Sequence, residues 1–318
     1  MKKLGILIAV LTLLSGCAPF VTQSPGEGLS PVNAVAEGND RHLMLFGHDV
    51  VSYFTDRRHQ KGSPEIKSVY KGVTFRFANG DMHELELRLK EADGSRRVLI
   101  ATDGVFSMDG YIADLPAICD LAERYGALVM VDDSHAVGVL GAHGRGSPEH
   151  HGVAERIDIV TGTLGKALGG GGGGYTSGRR EIVQLLRQRS RPYLFSNSIT
   201  PAVAAGSLRS LELLSDSTEL VDRLRSNTRL FRSLMADTPL EVLPGEGPIV
   251  PVMIGEEQRL GPITTAAFEE GLHVVGFSYP VVPLGTARIR TQVSAAHSED
   301  DLRFAAGVFA RVAGGRAP

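Results

Sequence analysis

Three apolar runs, each closing on polar residues, constrain this chain more than anything else in it: "VLIATDG" from Val98, "ALVMVDDSH" from Ala127 and "RIDIVTGTLGK" from Arg156. Between the first two lies "DLPAICDLAERYG", which reads as a helix. Runs that are apolar on both faces and alternate with helices require a mostly parallel sheet, which makes the chain α/β. "GGYTSG" reads as one more strand, and "REIVQLLRQR" and "PAVAAGSLRSLELL" read as helices. A smaller unit follows. It holds the long helix "STELVDRLRSNTRLFRSLMAD", the strand-like "GPIVPVMIG", "HVVGFSYPVV" and "ARIRTQVSA", and a helix begun at Ser298, where "SEDD" supplies a cap and a negative first turn.

In an open parallel sheet, ligands sit beyond the carboxyl ends of the strands. Asp132, Asp133 and His135 fall at one such end, and Thr161, Thr163 and Lys166 at another. Lys166 is not the lysine of a phosphate-binding P-loop, because Ala167 stands where that loop needs Ser or Thr. The six glycines after Leu168 satisfy a dinucleotide motif in several registers and so carry little weight. Their flanks are apolar and periodic, which places them inside a domain and not in a linker. A strand-end acid with a strand-end lysine is what a pyridoxal phosphate site requires. The amine forms the imine, and the carboxylate keeps the pyridine nitrogen protonated. Singly, a lysine is usually solvated and an Asp-Asp-Ser-His turn is usually loop chemistry; the pair together is informative.

Composition bounds the rest. The chain has 318 residues, is 42% hydrophobic and 22% charged, and carries 36 acidic against 33 basic residues for a net charge of -3, so no basic field points to nucleic acid. Its two cysteines, Cys17 and Cys119, supply neither a disulfide framework nor a cysteine metal cluster, and no metal is expected. Lys2 and Lys3 precede "LGILIAVLTLL" and "SGC", the pattern of a signal peptide over residues 1–16 that is too short to span a membrane. "LLSGCA" resembles the lipobox of bacterial lipoproteins, with Cys17 as the lipidated residue, so a membrane enters only through a lipid anchor there. Residues 17–40, rich in Pro, Gly, Ser and Asn, read as a linker.

Two resemblances follow from longer motifs. "LFGHDVVSYFTDRRHQKGSPEIKSVYKGVTFRFAN", within residues 41–79, is similar to the front half of a YHS domain, after which "GDMHELELRLKEA" starts a charged amphipathic helix belonging to something else. From Asp81 to about Phe309 the chain resembles the α-oxoamine synthase family of pyridoxal phosphate enzymes, and within it the glycine C-acetyltransferases. The resemblance rests on "TDGVFSMDG", "LVMVDDSHAVG", "DIVTGTLGKALGG", "RQRSRPYLFSNS", "GFSYPVVP" and "ARIRTQVSAAH", in that order. It implies an incomplete PLP fold type I large domain with a mostly parallel sheet over 80–214 and a smaller α+β C-terminal domain over 215–318, preceded by the partial YHS-like segment. Carried over by position, Lys166 is the Schiff-base lysine and removes the glycine Cα proton. Asp132 pairs with the pyridine nitrogen, and His135 hydrogen-bonds the phenolic oxygen of the ring. Thr163 reaches the phosphate, Ser107 lines the cofactor pocket, and Ser196 and Asn197 match the segment that contacts the neighbouring subunit's cofactor phosphate, which implies a homodimer. Arg290 grips the substrate carboxylate, a bidentate task that suits arginine. The implied reaction condenses glycine with acetyl-CoA to 2-amino-3-oxobutyrate and CoA.

The family also carries a region upstream of "GVFSMDG" that holds a phosphate cup, a ring-stacking histidine and several strands, and this sequence has the signal and the YHS-like stretch in that place. Two expectations follow: "VLIATDGVF" and "LVMVDDSH" have apolar faces without partners, and pyridoxal phosphate is bound weakly or not at all. Compartment is conflicting, since the enzyme part belongs to the cytoplasm and the leader to the cell envelope. The alternative function is an envelope lipoprotein with a YHS-like binding module that carries a non-catalytic enzyme fragment.

Overall fold

The structure is a computed structural model that describes residues 42–47, 73–169, 171–195 and 198–313. Residues 1–16, the linker 17–40 with Cys17, most of the YHS-like segment 41–79, and Ser196 and Asn197 lie outside the described residues. Contacts divide the chain into two units. The first takes the described residues up to Asp103 together with Asp114–Ser134 and Val153–Glu212; the second takes Gly104–Ala113, His135–Gly152 and the described residues from Leu213 on.

In the first unit, β1 (His42–Gly47), β2 (Val73–Phe77), β3 (Arg97–Asp103), β4 (Leu128–Asp132), β5 (Ile159–Thr163) and β6 (Gly174–Gly178) form one sheet in the order β2-β1-β3-β4-β5-β6. All neighbours are parallel except β6, which returns antiparallel to β5. Helix α1 (Met82–Glu91) starts where Asp81 accepts a bond from the Glu84 N–H at 2.7 Å, and it buries Leu85 and Leu89, one turn apart on a single face. Helix α2 (Leu115–Tyr125) is capped by Asp114, has a proline in its first turn, and stops at Gly126 in the left-handed conformation. It buries Leu115, Ile118, Cys119, Leu121 and Ala122, and it packs on β4 while α1 packs on β2 and α2.

The expectation of unpartnered apolar faces is corrected here. Val98, Ile100 and Ala101 of β3 and Val129 and Val131 of β4 are all buried. β3 is flanked on both sides, by β1 and β4, so residues from within the YHS-like segment supply the neighbouring strand. Each fully buried valine or isoleucine there contributes about 1.5–3 kcal/mol. After β6 come α3 (Arg180–Arg189), α4 (Arg191–Phe195) and α5 (Pro201–Asp216).

The second unit is α+β. Its sheet, β7 (Ile249–Gly255), β9 (Ala287–Gln292) and β8 (Gly276–Phe277), is antiparallel in the order β7-β9-β8. Helices α6 (Glu219–Ala236), α7 (Glu257–Glu269) and α8 (Glu299–Ala313) accompany it, with α8 packed on α6 and α7. Phe231, Met235, Val250, Val252, Ile289, Val308 and Phe309 form the centre of its core. At the start of α8, Ser298 N–H donates to Asp301 Oδ2 at 2.8 Å and Asp301 N–H donates to Ser298 Oγ at 3.2 Å, the reciprocal cap that "SEDD" predicts. The Ser298 backbone and hydroxyl bonds hold the Asp301 carboxyl below its usual range. No described helix is long and apolar enough to cross a membrane.

One loop of this unit depends on a glycine. Val105 and Ile112 bridge across residues 104–113, and Gly110 N–H donates to Phe106 O at 2.8 Å. Gly110 has a φ of +71°, and a Cβ added there would lie 2.7 Å from the Ile249 carbonyl oxygen. Gly110→Ala is therefore expected to cost about 1–3 kcal/mol through a left-handed alanine and a backbone clash. Urea unfolding compares the variant with the parent chain, and an unchanged midpoint would show that the loop relaxes freely.

Candidate functional site

Strand register builds the first half of the site. Asp103 pairs with Asp132 across β3 and β4, and Asp132 pairs with Thr161 across β4 and β5, so the three form a row at the carboxyl ends. Registered partners on parallel strands share a face, and the next residue turns to the other. Asp133 takes that step and is buried, and its N–H donates to Thr161 O at 2.8 Å, extending the ladder past the end of β4. Ser134 N–H donates to Asp132 Oδ1 at 2.9 Å, which holds the carboxylate at the turn. Lys166 is half-buried in the turn after β5, where Gly169 N–H donates to its carbonyl at 3.0 Å.

Two hydroxyls at this end differ sharply. Thr163 Oγ1 donates to Gly173 O at 3.2 Å and accepts from Gly165 N–H at 3.1 Å, while Leu164 N–H also donates to Gly173 O, at 3.0 Å. Thr163 thus ties the loop of residues 164–173 to the start of β6, and a phosphate contact requires its proton to leave Gly173. Thr161 Oγ1 is buried and has no hydrogen-bond partner. A buried orphan hydroxyl costs about 1–3 kcal/mol. Beside the Asp132 carboxylate at a strand end, it suits a bound polar group such as the substituents of a pyridine ring. The site is electrically loaded as well. Tyr175, opposite Gly162 on β6, has its phenol pushed up to about 12 by burial and then by the negative charges of Asp133 and Asp132. Gly162 leaves room for that ring, since a Cβ there would lie 2.5 Å from it.

The second unit brings together other expected residues. Arg290 on β9 donates from Nη1 to Ser107 O at 3.1 Å, and its guanidinium carbon sits 5.5 Å from the centroid of the Phe277 ring. Two residues away, the buried Arg288 forms an ion pair with Asp109 and also donates to Met108 O at 3.3 Å. The "SMDG" loop is thereby fastened to β9 by two arginines. His135 opens the His135–Gly152 segment of this unit and is half-buried.

Sequence reasoning singled out Asp132, Thr163 and Lys166, which lie in the first unit, and Ser107, His135 and Arg290, which lie in the second. It passed over Thr161 as a site residue, Tyr175, Asp109 and Arg288. Only Arg288 and Asp109 had a legible signal: an alternating Arg-Ile-Arg, and an acid in a loop motif already singled out. Among the described residues no cluster of three His, Cys, Asp or Glu is placed to hold a metal ion.

The family model "Aminotransferase class I and II" matches residues 65–309. The chain is 55% identical over 244 residues to the 2-amino-3-ketobutyrate coenzyme A ligase of Escherichia coli K12, covering 76% of this chain and 61% of that protein. It is 45% identical over 242 residues to the 8-amino-7-oxononanoate synthase of Thermosipho melanesiensis, covering 76% of this chain and 62% of that protein. A solved structure described as SPT with a PLP internal aldimine superposes with a TM-score of 0.77 at 26% identity, covering 86% of this chain and 67% of that one.

The row of acids and hydroxyls makes two expectations. Alkaline titration followed by tyrosine absorbance should contain a component near pH 12 that persists after ordinary phenols ionise near pH 10, and Tyr175→Phe should remove it. Asp133→Asn should move that component downward, and no movement would mean that the Asp133 charge does not act on the phenol. Thr161→Val exchanges the orphan hydroxyl for a methyl group and is expected to stabilise the ligand-free protein by about 1 kcal/mol in urea unfolding.

Proposed function

Because the chain belongs to the class I and II aminotransferase family, we propose that it performs pyridoxal phosphate-dependent acyl transfer, joining glycine to the acetyl group of acetyl-CoA to give 2-amino-3-oxobutyrate and CoA. Its mostly parallel sheet, followed by a smaller α+β part, is the type I fold of pyridoxal phosphate enzymes. The observation that carries the proposal is the register of Asp132 with Thr161 on adjacent strand ends, with Lys166 in the turn immediately after. The likeness to 2-amino-3-ketobutyrate coenzyme A ligase supports glycine and acetyl-CoA as the substrate pair. The chain spans about three fifths of that relative's length.

When bound, pyridoxal phosphate supplies an electron sink for the negative charge that develops at glycine Cα. Asp132 holds a proton at the ring nitrogen, and its carboxylate is kept in place by the Ser134 N–H. Thr161 Oγ1, buried and without a partner, offers a hydroxyl in the same row. Lys166 Nζ takes the Cα proton, and His135 donates to the phenolic oxygen of the ring. Arg290, oriented by Ser107 O and Phe277, receives the glycine carboxylate, for which a planar fork is better suited than a point charge. A second copy of the chain is part of the proposal. Tyr193, Leu194 and Phe195, consecutive on α4, are exposed, with Phe195 at 77%, and three exposed apolar residues in a row suit a surface that a partner covers.

The family match begins at residue 65, and the residues before it do not belong to that match, so the expected complex is weak. Titration with excess pyridoxal phosphate should raise an imine absorbance band that Lys166→Ala abolishes and that desalting removes from the parent chain. A band that survives desalting overturns the weak binding. A band in the Lys166→Ala chain, or none at any concentration, overturns the proposal. With the cofactor in excess, CoA release from acetyl-CoA should depend on glycine, and Arg290→Lys should raise the glycine KM by roughly tenfold or more.

A further inference from the structure

A hydroxyl has one proton to give, and that of Thr163 is already given. Thr163 is the last residue of β5, is 6% exposed and pairs with Gly174 at the start of β6. Its Oγ1 donates to Gly173 O at 3.2 Å on one limb of the lysine-bearing loop and accepts from Gly165 N–H at 3.1 Å on the other. Gly173 O also takes the Leu164 N–H, at 3.0 Å, so both of its lone pairs are in use. The limbs meet closely at this neck, since a Cβ on Gly165 would lie 3.3 Å from the Cα and N of Gly172. Lys166 is the next residue along, and its carbonyl accepts from Gly169 N–H at 3.0 Å in the turn.

The family resemblance carries Thr163 over as a phosphate contact, but that contact would break the bond to Gly173. The two uses of Thr163 differ in which ligands they serve. A phosphate contact matters only to ligands that carry a phosphate. A clasp at the neck of the loop matters to ligands that Lys166 must reach, because it limits where the Lys166 backbone can sit and so how Nζ approaches an aldehyde carbon.

We propose that Thr163 is a positioning residue for Lys166: its hydroxyl closes the neck of the loop and sets the approach of Nζ to the cofactor aldehyde, and it is not a phosphate ligand. This rests on the reading of Lys166 as the imine-forming lysine.

Three ligands, each titrated against the full chain to a dissociation constant, tell the two uses apart. Pyridoxal phosphate has the aldehyde and the phosphate, pyridoxal has the aldehyde alone, and pyridoxine phosphate has the phosphate alone. The two aldehydes are followed by the imine band that grows as Nζ joins the carbonyl carbon and water leaves, with Lys166→Ala as the blank. Pyridoxine phosphate is followed by its own fluorescence. Thr163→Val should weaken both aldehydes by about threefold to tenfold, the worth of one ordinary hydrogen bond, and leave pyridoxine phosphate unchanged. Thr163→Ser, which keeps the oxygen, should restore the parental values. Without ligand, hydrogen exchange at Gly165 should quicken by about tenfold in Thr163→Val and slow again in Thr163→Ser. Thr163→Ala serves where Thr163→Val does not fold. Weakening of the two phosphates with pyridoxal unchanged overturns the proposal and makes Thr163 a phosphate ligand. Equal weakening of all three ligands overturns it as well, since that is the mark of a disturbed site. No band with either aldehyde in the parent chain overturns the reading of Lys166 and the proposal with it, whereas a parental band whose affinity neither Thr163→Val nor Thr163→Ala alters overturns the proposal alone.

Discussion

The parallel register of β3, β4 and β5 is the constraint on which the candidate site depends. It aligns Asp103, Asp132 and Thr161 in one row and turns Asp133 to the opposite face, where it is buried. A slip of one residue between β4 and β5 would exchange the faces of Asp132 and Asp133 relative to β5. The apolar burial of Val129 and Val131 on β4 opposes that slip, because the same shift would carry them out of the core. Packing in the middle of the sheet therefore determines which acid is presented at its end.

The antiparallel return of β6 adds a second condition. It sets Tyr175 against Gly162 and within the field of two carboxylates, so the phenol stays neutral well past its ordinary range. The same return fastens the loop that bears Lys166, through the bonds of Thr163 and Leu164 to Gly173. The two ends of the glycine-rich loop that bears the lysine are thus tied to each other by backbone and hydroxyl bonds.

In the second unit, order is imposed by side chains that reach backbone carbonyls. Arg288 and Arg290 hold the loop of residues 107–109 against β9. Beyond β9, the buried Asn227 of α6 donates to Ser294 O at 2.9 Å and His297 O at 2.8 Å, so the chain leaving the strand is also fixed. Arg232 does similar work on the approach to β7, bonding the carbonyls of Leu243, Gly247 and Ile249, and burial among them lowers its pKa. Carbonyl acceptors are the same for every residue type, which is why no motif in the sequence announced these bonds.

The sequence by itself determined the α/β character, the strands that end in Asp132 and Thr163, the cap at Ser298, and the family to which the motifs belong. These are properties of periodicity and of residues close together in the chain, where spacing carries the physics. Tertiary structure alone decided that β1 and β2 close the flank of β3, that Thr161 rather than Thr163 has the hydroxyl without a partner, and that Arg288 answers Asp109 across 179 positions. Those outcomes depend on register and on which polar atoms burial leaves unsatisfied, and both are set only once distant segments have packed against one another.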